Sequence, residues 1–141
     1  MKKGKIDRQS LLSSLWIFVL FNILFRDLHQ FLNPEALQAM LVADFPEVQV
    51  LLFGFILEIP IMMTLLARLL NDRANKWANV GAAAFTLLGI VSTLPTADMD
   101  DLFFMFFKMA ALLWIIRVAW SLVPKERTNN GPQIAQVAIR G

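Results

Sequence analysis

Apolar residues form four long and nearly continuous runs, separated by short polar connections. The runs occupy residues 11–32, 48–70, 74–94 and 102–123. Each run is close to the ~20 residues that an α-helix needs to cross the ~30 Å hydrocarbon core of a bilayer. Strands of a membrane barrel would instead alternate apolar and polar residues over about 10 positions. The pattern therefore predicts an all-α fold, with a four-helix transmembrane bundle in residues 1–123 and a polar tail in residues 124–141.

Helix-start signals refine the connections between these runs. Residues 33–35, Asn-Pro-Glu, have the order of an N-cap followed by proline at the first helical position, and apolar residues at helical spacing follow. They predict a short interfacial helix between spans 1 and 2. Asp44 with Glu47 has the form of a capping box, which predicts the start of span 2. The acidic stretch 98–101 is expected to cap span 4 in the same way.

Composition and charge indicate a membrane protein and predict its orientation. Hydrophobic residues make up 57% of the chain and charged residues only 17%, which is too apolar for a soluble domain. Lysine and arginine precede span 1, surround the connection between spans 2 and 3, and follow span 4, whereas the other two connections carry only acidic charges. By the positive-inside rule, both termini are predicted to be cytoplasmic. The net charge of +2 reflects this topology, and no nucleic-acid partner is expected.

Several kinds of chemistry lack the residues that they require. The chain has no cysteine, which excludes disulfide exchange, thiolate metal sites and iron–sulfur clusters. Its single histidine, His29, cannot supply two axial haem ligands within one chain. No glycine-rich phosphate loop, metal-ligand pattern or nucleophile signature is present. We therefore expect no cofactor, no metal site and no catalytic residue.

Polar residues inside the spans are the remaining candidates for function. An Arg, Lys or Asp at the centre of a membrane helix costs ~2.5–3.5 kcal/mol, so it should face the bundle interior, find a partner or lose its charge. The acids Asp27 and Glu58 and the bases Arg26 and Lys108 fall in the outer half of the predicted bundle. Lys108 is expected to pair with one of these acids and Arg26 with the other. We therefore predict an intramembrane polar cluster. Its candidate members are Asn22, Arg26, Asp27, His29, Glu58 and Lys108.

The stretch LEIPIMM places an acid two residues before a proline in an apolar run. Pro60 removes the helical hydrogen bond to the carbonyl four residues earlier, which favours a kink. Gly54, one turn before Glu58, leaves space beside the carboxylate. Two interpretations follow and both stay open: a pocket or ion path lined by Glu58, or a structural pair of Glu58 with Lys108 that fixes the helix register.

Three stretches carry a family signature: LWIFVLFNILFRDL at 15–28, LEIPIMMTLLARLL at 57–70 and RANKWANV at 73–80. They resemble an uncharacterised bacterial family of small four-span integral membrane proteins, a domain of unknown function, over about residues 11–123. The family pattern has three parts. Its aspartate near the outer end of span 1 corresponds to Asp27, its E-I-P step in span 2 corresponds to residues 58–60, and its R-A-N-x-W-A-N connection corresponds to residues 73–79. Arg26 and His29 depart from that pattern. The resemblance implies four helices in a bacterial inner membrane, and it implies no activity.

Three classes of function are open from the sequence. The first is the binding or transport of a small molecule or ion through the polar cluster. The second is a structural or accessory subunit that docks a larger membrane partner or further copies of itself through small-residue helix faces. The third is an intramembrane enzyme that acts on a lipid or quinone with Asp27 or Glu58 as its acid–base group. The enzyme is the least favoured class because the chain offers no nucleophile–base pair or metal set.

Overall fold

The computed structural model describes residues 7–122, which form five α-helices and one short 3-10 turn. The α-helices are α1 (Arg8–Phe31), α2 (Pro34–Val42), α3 (Glu47–Leu69), α4 (Asp72–Thr93) and α5 (Met99–Trp120), and the 3-10 turn is Leu94–Thr96. The predicted all-α fold is confirmed for this part of the chain. The four long helices coincide closely with the four apolar runs. The predicted tail at residues 124–141 lies outside the described residues.

Three of these helices, α1, α3 and α5, are long and apolar enough to cross a membrane. Helix α4 has the same length of 22 residues as α5, but it falls short of the other three in hydropathy. Its first turns carry the polar residues Asp72, Arg73, Asn75, Lys76 and Asn79. Length and composition are therefore consistent with a membrane protein that has at least these three apolar helices.

Sequential long helices run in opposite directions and pack side by side. Helix α1 packs against α3 and α5, and α4 packs against the same two helices. Ser13 near the start of α1 donates its hydroxyl to the carbonyl of Thr64 near the end of α3 at 2.7 Å. Arg8 likewise donates to the carbonyl of Ser121, just after α5. The start of α1 thus lies beside the ends of α3 and α5, and α1 lies diagonally across from α4.

Charged residues of opposite sign gather at the two ends of this helical assembly. The end where α1 and α4 begin is called the basic end, because within residues 7–122 its five cations outnumber the two acids Asp7 and Asp72; the cations are Arg8, Arg68, Arg73, Lys76 and Arg117. The end where α2, α3 and α5 begin is called the acidic end and carries Glu35, Glu47, Asp98, Asp100 and Asp101.

Helices α1 and α3 are buried toward the basic end and exposed toward the acidic end, whereas α5 has buried residues from Asp101 to Ala119. The buried residues of α1 all lie between Leu12 and Val19, and those of α3 all lie between Pro60 and Ala67. By contrast, every residue of α3 from 47 to 58 is exposed. Cavities and grooves are therefore expected in the acidic half.

A chain of buried hydrogen bonds joins α1, α3 and α4 toward the basic end. The indole Nε1 of Trp16 donates to Asn79 Oδ1 at 2.7 Å, and Asn79 Nδ2 donates to Asn75 Oδ1 at 2.6 Å. Asn75 Nδ2 in turn donates to the carbonyl of Ala67 at 2.7 Å. Trp16, Asn75 and Asn79 are fully buried. Because an unpaired buried polar group costs ~1–3 kcal/mol, this chain favours one register of the three helices.

The predicted cap is correct at α2, whereas α3 and α5 begin close to the predicted residues without the predicted side-chain caps. Asn33 caps α2, because its Oδ1 accepts from the backbone N–H of Glu35 at 3.0 Å. Helix α3 begins at Glu47 with the extended Pro46 as its N-cap and has no side-chain cap. Asp44 therefore lies two residues before the N-cap and does not form the predicted capping box. Asp98 is the N-cap residue of α5 but makes no side-chain capping hydrogen bond.

Candidate functional site

The centre of the candidate site is an ion pair that joins α1 to α5 at the acidic end. Arg26 contacts Asp101 through two parallel hydrogen bonds, Nε to Oδ1 at 2.6 Å and Nη2 to Oδ2 at 3.1 Å. Asp27 Oδ1 lies 3.4 Å from Arg26 Nη1. The Asp101 side chain is 9% exposed and that of Arg26 29%. A two-pronged guanidinium–carboxylate pair is the strongest form of such a contact, so it holds the two helices in place.

A second polar contact between the same two helices lies closer to the surface. His29 Nδ1 is 2.9 Å from Asp100 Oδ2, and the two side chains are 51% and 61% exposed. A carboxylate can only accept, so Nδ1 must carry the proton. The other ring nitrogen, Nε2, is then an acceptor when the ring is neutral and a donor when the ring is charged.

Lys108 lies deeper on α5 and is only 8% exposed. It follows Asp101 by seven residues, so it lies on the same helix face about 10 Å further along the axis. The charges that act on it are those of Arg26, Asp27 and Asp101. Within residues 7–122, however, Lys108 makes no ion pair and no hydrogen bond. The expected contact of Lys108 with a carboxylate is therefore wrong, because Arg26 already contacts Asp27 and Asp101.

Glu58 does not join the other members of the predicted cluster. It is exposed on α3, whereas Pro60, two residues further along, is buried. Two residues correspond to about 200° around a helix, so the acid and the proline face opposite sides. Glu58 makes no ion pair with Lys108 in the described chain. The expected structural pair is absent, and the carboxylate requires another explanation.

An apolar groove runs along α1 beside this cluster. It has a volume of about 740 Å³ and is lined by five phenylalanines, two leucines, Asn22 and His29. Asn22 Nδ2 donates to the carbonyl of Phe18 at 2.9 Å, and Asn22 Oδ1 has no donor within residues 7–122. A small recess of about 30 Å³ beside Arg26 shares His29 and Phe104 with the groove. The groove therefore adjoins the contacts that Arg26 and His29 make with α5.

Comparison with protein families gives a single informative result. The model of a family of unknown function, DUF6326, matches residues 2–128. The chain belongs to the DUF6326 family. Comparisons with curated proteins and with solved structures found no match. The assignment agrees with the resemblance to an uncharacterised family, and it brings no activity to this DUF6326 protein.

The structure assigns clear contacts to four residues that the sequence analysis of this DUF6326 protein did not single out. Asp100 and Asp101 were expected to cap α5, but their side chains contact His29 and Arg26 on α1. Asn75 and Asn79 were part of the RANKWANV signature, and they form the buried hydrogen-bond chain described above. Two asparagines one helical turn apart in an apolar segment were the signal that could have revealed that chain. The functional role of the candidate residues stays a prediction.

Proposed function

We propose that this DUF6326 protein is a multi-pass protein of the bacterial inner membrane, with four spans and both termini in the cytoplasm. Three apolar helices support the proposal. Helix α4 is as long as α5 and packs between α3 and α5, so it would cross the bilayer together with them. The basic end faces the cytoplasm under the positive-inside rule, and the acidic end faces outward. Helix α2 then lies at the outer interface.

The function that the geometry supports best is the binding of an apolar small molecule that carries a hydroxyl group. The observation behind this proposal is the groove lined by phenylalanines beside the ion-paired cluster. Its volume of about 740 Å³ falls within the ~300–1,000 Å³ typical of small-molecule pockets, and its mostly apolar lining with few polar groups is also typical.

Two polar atoms in the groove define the chemistry of the ligand's polar group. Asn22 Oδ1 is an acceptor that has no donor within residues 7–122, and His29 Nε2 is an acceptor or a donor according to the charge of the ring. A hydroxyl group both donates and accepts, so it satisfies either atom in either state. The aliphatic or isoprenoid body of the molecule would lie against the phenylalanine rings. Long-chain alcohols, prenyl alcohols and reduced quinones share this chemistry.

A binding measurement with matched probes tests the proposal. The purified protein in lipid nanodiscs is titrated with a hexadecanol that carries a diazirine in its chain, and the labelled fraction is measured after illumination. The corresponding methyl ether is the control probe, because it cannot donate a hydrogen bond. We expect the alcohol to label at lower concentration than the ether by about five- to tenfold, the effect of one lost hydrogen bond.

Two variants show whether the groove is responsible. The double variant Asn22→Leu with His29→Leu removes both acceptors from the groove, so the alcohol and the ether should label it equally. Leu88→Ala is the matched control, because Leu88 is 71% exposed on α4, away from the groove, and it should behave as the wild type. Equal labelling by alcohol and ether in the wild type would contradict the proposal.

A structural or accessory role is the second candidate. It is favoured by the observation that two of the three ionic contacts around Arg26 and His29 join α1 to α5, so these charges already serve to hold the helices together. In that case the alcohol and the ether would label the groove equally. A larger membrane protein would instead be recovered with the tagged chain from native membranes.

A further inference from the structure

Glu58, on the exposed face of α3, has no partner in the described chain. Residues 47–58 of α3 are all exposed, and Glu58 makes no hydrogen bond or ion pair within residues 7–122. Its neighbours on this face are apolar, with Leu51 62% and Phe55 64% exposed. Apolar side chains are well placed against lipid. A carboxyl group is not, because hydrocarbon offers it no hydrogen bonds.

The surface around Glu58 has the shape of a helix-docking site. Leu51, Gly54 and Glu58 follow one another at intervals of three and four residues, so they lie along one face. They border a shallow groove of about 500 Å³. A Cβ atom added to Gly54 would meet nothing within 4 Å, so the notch one turn from the acid is open to an incoming backbone. Small residues at such positions let membrane helices approach closely.

We propose that this face of α3 is the contact between two copies of the chain. Copies that insert in the same direction can pair about a two-fold axis along the membrane normal, and the same surface then meets itself. Each residue of α3 lies opposite its own copy at the same depth, so Glu58 meets Glu58 beside two Gly54 residues. A neutral carboxyl group donates one hydrogen bond and accepts another, so the two acids satisfy each other.

A second copy explains Glu58 more directly than an unrelated partner does. An unrelated helix would need a polar group of its own at this one depth, whereas a second copy always supplies one. Glu47 also lies on this face, but it is in the first turn of α3, about 16 Å from Glu58 along the axis. Its charge stays in the aqueous interface, where water and salt screen the repulsion between copies. The contact shares no residue with the apolar groove along α1. The proposed dimer contact and the proposed ligand binding can therefore hold or fail independently.

Cysteine cross-linking in native membranes tests this contact. The chain has no cysteine, so any disulfide arises from the introduced residue. Leu51→Cys places a thiol on the proposed contact. Ile56→Cys is the matched control, because it lies on the opposite side of α3 at about 140° around the helix and is similarly exposed at 50%. After oxidation we expect a disulfide-linked dimer from Leu51→Cys and none from Ile56→Cys.

Substitutions of the acid separate the hydrogen-bonded contact from chance collision. In the Leu51→Cys background, Glu58→Leu should lower the cross-linked fraction by about five- to thirtyfold, because one or two hydrogen bonds in lipid are lost. Glu58→Gln should retain the cross-link, because an amide also donates and accepts. The proposal is overturned if Leu51→Cys gives no dimer or no more than Ile56→Cys. It is also overturned if Glu58→Leu has no effect, or if Glu58→Gln loses the cross-link as fully as Glu58→Leu does.

Discussion

Removal of the Arg26 side chain is the perturbation for which the structure allows the clearest estimate. Arg26→Met keeps most of the aliphatic volume and removes the guanidinium group. Asp101, which is 9% exposed, then loses both of its hydrogen bonds to Arg26, at 2.6 and 3.1 Å. Removing one partner of a buried ion pair costs ~3–5 kcal/mol because the other charge is left uncompensated.

Partial exposure of the pair to water lowers the expected loss of stability. Because the Arg26 side chain is 29% exposed, water can reach part of the pair, and we expect Arg26→Met to destabilise the protein by ~2–4 kcal/mol. Asp101→Leu alone should cost less, since Arg26 keeps Asp27 at 3.4 Å. The double variant Arg26→Met with Asp101→Leu removes both charges of the buried pair and leaves only Asp27, whose side chain is 47% exposed, without its partner. It should therefore recover ~1–3 kcal/mol relative to Arg26→Met alone.

Thermal unfolding of the purified wild type, both single variants and the double variant in one detergent measures this coupling. His29→Gln is the control, because its contact with Asp100 is about half exposed and should be worth less than ~1 kcal/mol. A double variant as unstable as Arg26→Met would refute the reasoning. So would an Arg26→Met variant as stable as the wild type.

Three further predictions concern other parts of the molecule. Asn79→Leu should destabilise the protein by ~2–4 kcal/mol in detergent melting, because it leaves the buried indole N–H of Trp16 without an acceptor. Lys76→Ala should cost only ~0.5–1 kcal/mol in the same assay, because its amine lies 4.2 Å above the exposed ring of Trp120. A cysteine at position 97, in place of Ala97, should react with a membrane-impermeant maleimide in intact spheroplasts, and protection of that cysteine would overturn the proposed orientation.

The helices could be predicted from the sequence because each apolar run is long and bounded by polar residues or proline. The N-cap at Asn33 was equally clear, since an asparagine directly before a proline has few alternative roles. The acids before α5 were harder to interpret. An aspartate in the first turn of a helix can serve its own backbone or a neighbouring helix, and only the approach of Arg26 favours the second role for Asp101.

The direction in which Glu58 points could not be predicted from the sequence. Helix α3 is apolar on all sides around Glu58, so periodicity shows which residues share a face but not which face is buried. Both Glu58 and Lys108 lie within long apolar helices, and this suggested a pair. The pair does not form because α3 buries Pro60, Met63 and Ala67, which turns Glu58 outward.

The groove along α1 was also hidden from sequence reasoning. Its phenylalanines look like ordinary lipid-facing residues, and the concavity arises only where Phe104 of α5 approaches α1 beside His29. Asn22 and His29 could be named as candidates because polar residues in an apolar helix stand out. Only the structure shows that Asn22 Nδ2 and His29 Nδ1 already have partners, so that Asn22 Oδ1 and His29 Nε2 are the atoms without one in the described part of the chain.

The most direct test of the proposed function is to locate the residues that the diazirine hexadecanol labels in the wild-type protein. Labelled protein is digested, and the modified residues are identified by mass spectrometry. We expect the label to concentrate between Phe18 and Phe31 of α1, at the adjoining Leu32 and at Phe104 of α5, and we expect unlabelled hexadecanol to compete for these positions. Label spread evenly over exposed residues of α4, such as Phe85 and Leu88, without competition would contradict it.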